Sequence, residues 1–175
     1  MEVHQHWISA RLGYAFKGGW YVAGAVGASL GGSLESAERL LTFEPGVVAT
    51  LQTGVVLMEA DGWLPFIESS LNVSASFGGL REDDGLRQSW TAVDVRLGAT
   101  TGWRVADLWV PYVAFRVFGG PVFWRDGGED RVGSDLHHFQ VAIGSSLSFY
   151  GVDLFVDWGL PIGEAGLSAG LGYRF

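Results

Sequence analysis

The chain has no cysteine, a single lysine at Lys17, only five prolines in 175 residues, and no apolar run long enough for a helical membrane span. Each shortage excludes something. Without cysteine there is no disulfide framework and no thiolate metal site. A spanning helix needs about 20 consecutive apolar residues. The longest apolar stretch, Val47 to Met58, is broken by Thr50, Gln52, Thr53 and Gly54. With 11 basic against 19 acidic residues, nothing resembles the basic patch that nucleic acid requires, so no nucleic-acid partner is expected. The opening Met1-Glu2-Val3-His4 has neither the basic region nor the apolar core of a signal peptide, and reads as a mature form with an added Met.

What is abundant is glycine, aromatic residues and alternation. The chain carries 27 Gly and 8 Trp, is 48% hydrophobic, and at this length is expected to be one domain over 1–175. A hydrophobic chain with no helical span is either a large-cored β protein or a membrane barrel. Period-two segments, the signature of strands, run over His6–Phe16, Trp20–Leu30, Val47–Glu59, Trp63–Phe77, Trp90–Thr100, Leu108–Phe118, Leu136–Phe149, Val152–Leu160 and Gly166–Phe175. Ser33–Phe43 fits no template well. Gly-rich or Gly-containing reversals separate the segments, as at Lys17-Gly18-Gly19 and Asp61-Gly62.

The expected fold is therefore all-β, an antiparallel up-and-down barrel of eight to ten strands. An even number returns both termini to one side, and counting Ser33–Phe43 gives ten, the preferred figure. If that segment is loop, the count is eight or a first strand lies outside the chain. Short turns alternate with longer polar stretches at 78–89 and 119–135, an asymmetry usual in outer-membrane barrels.

Charge separates a membrane barrel from a soluble one. Eight strand residues carry it: Arg11, Glu68, Asp94, Arg96, Arg116, Asp153, Asp157 and Arg174. All lie on the parity opposite the bulky apolar side chains. That polar parity is otherwise small, with Ser70, Ser74, Ser76, Gly144, Ser146, Ser148, Gly170 and Gly172, which suits a narrow lumen better than a wet surface. Four positive and four negative charges cancel, so a lumen filled by mutual neutralisation is expected. Trp20, Trp63, Phe77, Trp109, Phe149, Trp158 and Tyr173 fall near strand ends on the apolar parity, where interface girdles sit.

The last ten residues, GLSAGLGYRF, place Leu167, Ala169, Leu171, Tyr173 and Phe175 on one face and end on the aromatic Phe175. This segment resembles the closing strand of bacterial outer-membrane β-barrel proteins. The resemblance implies an outer-membrane location with a periplasmic C-terminus, contact with outer-membrane lipids, and recognition of those five residues by the barrel-assembly machinery. The 78–89 and 119–135 loops then face outward.

Sites for chemistry are sparse. His137 and His138 follow Asp135, with Ser134 nearby, and the weak candidate for a catalytic group is His138, in a rim hydrolase acting on lipid or peptide. No Gly-x-Ser-x-Gly elbow accompanies it, and an interfacial histidine pair is the plainer reading. Glu82-Asp83-Asp84 and Asp126 to Asp130 hold calcium-compatible carboxylates without EF-hand spacing, and His4 and His6 sit near the start; solvated charge accounts for these, so no metal and no cofactor is expected. The expected function is a non-enzymatic integral barrel presenting surface loops in a structural, adhesive or ligand-contact role. A narrow channel for small or hydrophobic solutes, the rim hydrolase and a soluble ligand-binding barrel are the alternatives. The resemblance generates one prediction. Deleting Phe175 lowers outer-membrane assembly in cells far more than refolding into detergent micelles, because burial of one such side chain contributes only about 1.5–3 kcal/mol. Equal losses in the two assays would reduce its role to packing.

Overall fold

The alternation is realised as one antiparallel sheet in a computed structural model, which describes residues 2–36, 39–81, 87–106, 108–126, 129–134, 138–150, 152–160 and 166–173. Twelve strands follow in order: β1 (Glu2–Ala15), β2 (Trp20–Ser36), β3 (Arg39–Phe43), β4 (Gly46–Met58), β5 (Phe66–Arg81), β6 (Arg87–Gly102), β7 (Trp109–Gly119), β8 (Pro121–Asp126), β9 (Glu129–Ser134), β10 (Phe139–Phe149), β11 (Val152–Gly159) and β12 (Gly166–Tyr173). They make nine staves, because three pairs are interrupted single staves: β3 with β4, β7 with β8, and β9 with β10. Every ladder is antiparallel and joins sequence neighbours, the up-and-down order expected. Among the described residues no ladder joins β1 to β12, so the sheet is a curled half-barrel with two edges.

Nine falls inside the expected range, and the doubtful segment explains the missing tenth. Ser33–Phe43 is not a stave of its own. Its first part extends β2 to Ser36 and its last part, β3, folds back as the distal end of the next stave. Pro45 cannot donate to a ladder, which breaks β3 from β4, while Glu44 N–H still reaches the Gly79 carbonyl at 2.8 Å.

At one end of the wall the reversals are tight. Phe16 N–H donates to the Trp20 carbonyl at 2.7 Å, and Gly18 and Gly19 supply the positive φ, 96° and 81°, that closes this turn. Asp61 and Leu64 pair across the second turn, so β5 begins at Phe66 rather than at Trp63. At the opposite end the structure corrects two loop assignments. Most of 78–89 is sheet, with β5 reaching Arg81 and β6 starting at Arg87. Much of 119–135 is the β8–β9 hairpin, in which Val122, Phe123 and Trp124 stand opposite Gly133, Val132 and Arg131 on either side of the charged tip. Gly120, pressed against the Val93 carbonyl, bends the stave between β7 and β8.

A row of directly opposed residues shows how the sheet curls. It begins at Ala15, the last residue of β1, and passes through Tyr21, Gly54, Ser70, Gly98 and Arg116 to Gln140, the second residue of β10. It climbs from the turn end of the wall to the other end, the stagger that tilts strands and closes barrels. The curvature is polar side in. Tyr21 on β2 reaches Glu68 on β5 across β4, and Arg116 on β7 reaches Asp157 on β11 across β10, spans that a concave face shortens. The bulky apolar side chains point the other way: Leu12 is 77% exposed and Leu171 70%, against 6% for Asp157. This polarity is the reverse of a soluble barrel.

Glycine makes room on the crowded side. Tyr21 lies opposite Gly54, Phe66 opposite Gly102, Trp90 opposite Gly78, Tyr112 opposite Gly144 and Phe155 opposite Gly170. In each pair the aromatic ring folds over its glycine; a Cβ on Gly54 would stand 2.5 Å from the Tyr21 ring, and one on Gly78 2.7 Å from Trp90 Nε1. Gly54→Val and Gly144→Val therefore destabilise the fold by about 1–3 kcal/mol each through overpacking. Gly24→Ala, where the nearest atom lies 3.9 Å away, leaves the denaturant midpoint unchanged. Equal midpoints for all three variants would remove the ring-on-glycine contact from the account.

Candidate functional site

The concave face carries two clusters of polar side chains, one on each half of the sheet. On the first half the Tyr21 hydroxyl donates to Glu68 Oε1 at 2.6 Å and accepts from Gln52 Nε2 at 3.1 Å. Alternation puts all three on the same side of β2, β4 and β5, and Gly54 gives the Tyr21 ring its seat. On the second half Arg116 clamps Asp157 through two nitrogens at 3.0 and 2.7 Å, donates to Gln140 Oε1 at 2.8 Å, and shares Asp157 with the Tyr112 hydroxyl at 3.2 Å. Asp157 and Gln140 are buried. A forked guanidinium held on a buried carboxylate is among the strongest contacts available on this face.

The eight expected charged residues divide unevenly. Arg116 and Asp157 form the buried pair just described. Asp94 and Arg96, two apart on β6, stand at 3.7 Å, and the Arg96 guanidinium also lies 4.9 Å from the centre of the Phe118 ring. Glu68 is held by a tyrosine hydroxyl, and Asp153 accepts from the Ser148 hydroxyl. Arg11 lies on β1 at the edge of the sheet and is exposed; Arg174 lies outside the described residues. Tyr21, Gln52, Tyr112 and Gln140 were not anticipated. Their signal was available, since each falls on the polar parity, and both tyrosines stand opposite a glycine.

The convex face has few polar side chains, and three of them are satisfied locally. Thr53 Oγ1 donates to the Tyr21 carbonyl at 3.0 Å, Thr101 Oγ1 to the Phe66 carbonyl at 2.9 Å, and Ser145 Oγ accepts from Trp109 Nε1 at 2.6 Å. Of the expected girdle, Trp20, Trp63, Trp109 and Phe149 cluster at the turn end, while Phe77 and Trp158 mark the opposite end; all are exposed, Trp63 at 83%. Tyr14, Phe16, Trp103 and Tyr150 join the turn-end group. The backbone of β12 places Leu167, Ala169, Leu171 and Tyr173 on one parity, with Phe175 outside the described residues.

His138 is exposed at the opposite end from the turns, its carbonyl accepting from Phe118 N–H at 2.9 Å and its ring beside Gly119. Asp135 and His137 lie outside the described residues, as do Glu82, Asp83 and Asp84. In the acidic tip of the β8–β9 hairpin, Asp130 is held by Arg125 and Glu129 by Arg131. Among the described residues no three metal-ligating side chains gather.

No family model, curated protein or solved structure matches the chain. The Arg116–Asp157 pair sets the prediction here. Arg116→Ala strands a buried carboxylate and costs about 3–5 kcal/mol, whereas Arg116→Met with Asp157→Leu restores most of the loss. A melt in which the single and the double variant lose equally would mean the pair does not act as a unit.

Proposed function

We propose that the chain is a small integral β-barrel of the outer membrane of a Gram-negative bacterium. Its C-terminus lies on the periplasmic side, and its interior is filled by paired side chains rather than left open as a pore. In this reading the end opposite the tight turns faces outward. There the β8–β9 hairpin is presented in a structural, adhesive or ligand-contact role. The barrel's partners are outer-membrane lipids and, during biogenesis, the assembly machinery.

The inverted polarity carries this reading. A sheet with clamped carboxylates on its concave face and exposed Leu, Val, Ile and aromatic side chains on its convex face has its sides the wrong way round for water. In a bilayer the same arrangement is the stable one. The height fits as well. On β10, Phe139 and Phe149 are ten residues apart, about 33 Å along a strand. At the 35–45° tilt usual for membrane barrels that distance stands about 25 Å tall, the apolar band such barrels show. The locally bonded Thr53, Thr101 and Ser145 support the same environment, since no water is there to satisfy a lipid-facing hydroxyl.

A filled interior is supported by the bonds that cross an intervening strand, Tyr21 to Glu68 and Arg116 to Asp157. They bring charges of opposite sign, or a charge and its donor, together on the inner face instead of lining it with one sign as an ion-selective pore does. The tests are direct. The protein partitions with membranes against alkaline wash and folds only with lipid or detergent. Leu97→Arg, on the convex face, costs about 2–4 kcal/mol in vesicles if it lies near the midplane. Planar-bilayer recordings show no steady large conductance. Recovery of folded protein in plain buffer would sink the membrane reading, and steady conductance would promote the channel.

A further inference from the structure

The two edges of the sheet are formed by strands of nearly the same sequence. Residues 8–16 of β1 and the turn after it read ISARLGYAF; residues 167–175, opening with β12, read LSAGLGYRF. Six of the nine positions are identical and a seventh exchanges Ile for Leu. Alternation alone makes two strands look alike in polarity, but it does not fix Ser-Ala at the second and third positions and Gly-Tyr at the sixth and seventh. The topology gives the likeness a meaning. Nine staves make β1 and β12 run in the same direction, each with one edge paired and the other without a ladder among the described residues. The edge by which β1 holds β2 is the edge that β12 leaves free, and both strands present the same side chains outward: Leu12 and Leu171 are exposed.

We propose that β12 can take the seat of β1 on β2, closing the sheet into an eight-stave antiparallel barrel, with β1 as the displaceable occupant of that seat. The register of the seat is known. Ser9 stands opposite Gly27, Ala10 opposite Val26, Leu12 opposite Gly24, Gly13 opposite Ala23 and Tyr14 opposite Val22. Laid in the same register, β12 supplies Ser168, Ala169, Leu171, Gly172 and Tyr173 at those five places. The tight points are preserved. A Cβ on Gly13 would stand 3.1 Å from that of Ala23, and β12 keeps glycine there as Gly172; Gly27 packs on Ser9, and β12 keeps serine as Ser168. The next-but-one position after Gly172 brings Arg174 opposite Tyr21, whose hydroxyl holds the Glu68 carboxylate. The reverse exchange does not work. With β1 in the seat of β12, Arg11 replaces Gly170 under the Phe155 ring, which needs the glycine. Exchange therefore runs one way.

The inference rests on the membrane-barrel reading only in that lipid leaves no free strand edge unsatisfied; the match of residues and register is independent of it. The absence of cysteine makes the test clean. Three double variants of the full chain are folded in vesicles or detergent, or in buffer if the protein needs neither, and are then oxidised or bridged with a short thiol cross-linker. Val26→Cys with Ala169→Cys reports β12 in the seat, Ala10→Cys with Val26→Cys reports β1 there, and Ala10→Cys with Val156→Cys reports the reverse exchange. In the open sheet Val26 and Ala169 are seven staves apart and, among the described residues, no ladder brings them face to face as a disulfide requires. The expected result is an intrachain link from the first pair and none from the third. Adding Gly13→Leu, which crowds Ala23 and unseats β1 without touching β12, raises the first link several-fold. A first pair that stays reduced in both backgrounds overturns the proposal. So does a first-pair link found only between chains, which would assign the seat to a second copy. Folding in plain buffer would defeat the membrane reading separately and leave the link pattern readable.

Discussion

Space on the concave face is the constraint on which the rest of the molecule depends. A curled wall brings its inner side chains toward one another, so bulk admitted at one position must be given up at the next. The chain meets this by pairing large inner rings with glycines on the neighbouring strand: Tyr21 with Gly54, Tyr112 with Gly144, Phe155 with Gly170. Glycine costs strand stability through its backbone entropy and lost packing. Here the cost is offset by a ring that covers the exposed peptide and, in Tyr21 and Tyr112, carries a hydroxyl to a carboxylate two strands away. The abundance of glycine, the confinement of most bulk to the outer face, and the reach of the polar clusters all follow from that one exchange of volume.

Much of this was legible because the strand period is two. Once Glu68, Arg116 and Asp157 fall on the parity opposite Ile67, Phe115 and Trp158, the division into a charged and an apolar face is fixed whatever the fold's closure. Which face is inner was not fixed by parity; it is read from contacts that cross a strand. The pairing itself was not legible. Charge balance suggested carboxylates bridged by arginines, as Asp157 is by Arg116 and Asp94 by Arg96, but it gave no sign that Tyr21 would hold Glu68 or Ser148 reach Asp153. Which groups meet depends on register between strands far apart in sequence, and no local pattern encodes that. A different, local cause explains the extracellular-type loops expected at 78–89 and 119–135. Charge at a hairpin tip, Arg125 to Arg131, masked two six-residue strands that carry no period-two alternation of their own.

The width of the ring and the filling of its interior are a single question. The two polar clusters lie on staves two to four and six to eight, counting from β1. In a ring of eight staves those arcs are centred four staves apart and face each other across the axis. A ring of that width has an interior that side chains alone can fill. The Tyr21–Glu68 cluster and the Arg116–Asp157 clamp then approach from opposite walls, and each is already satisfied within its own wall, so neither has to find a partner across the gap. A ninth stave widens the ring, breaks the opposition, and sets two strands of like direction side by side at the seam, where pairing per residue is weaker. Closure through the duplicated edge sequence avoids all three consequences. It also accounts for a first strand that resembles the last: the seat on β2 is shaped by Gly13 opposite Ala23 and Ser9 opposite Gly27, and β12 carries glycine and serine in the same order.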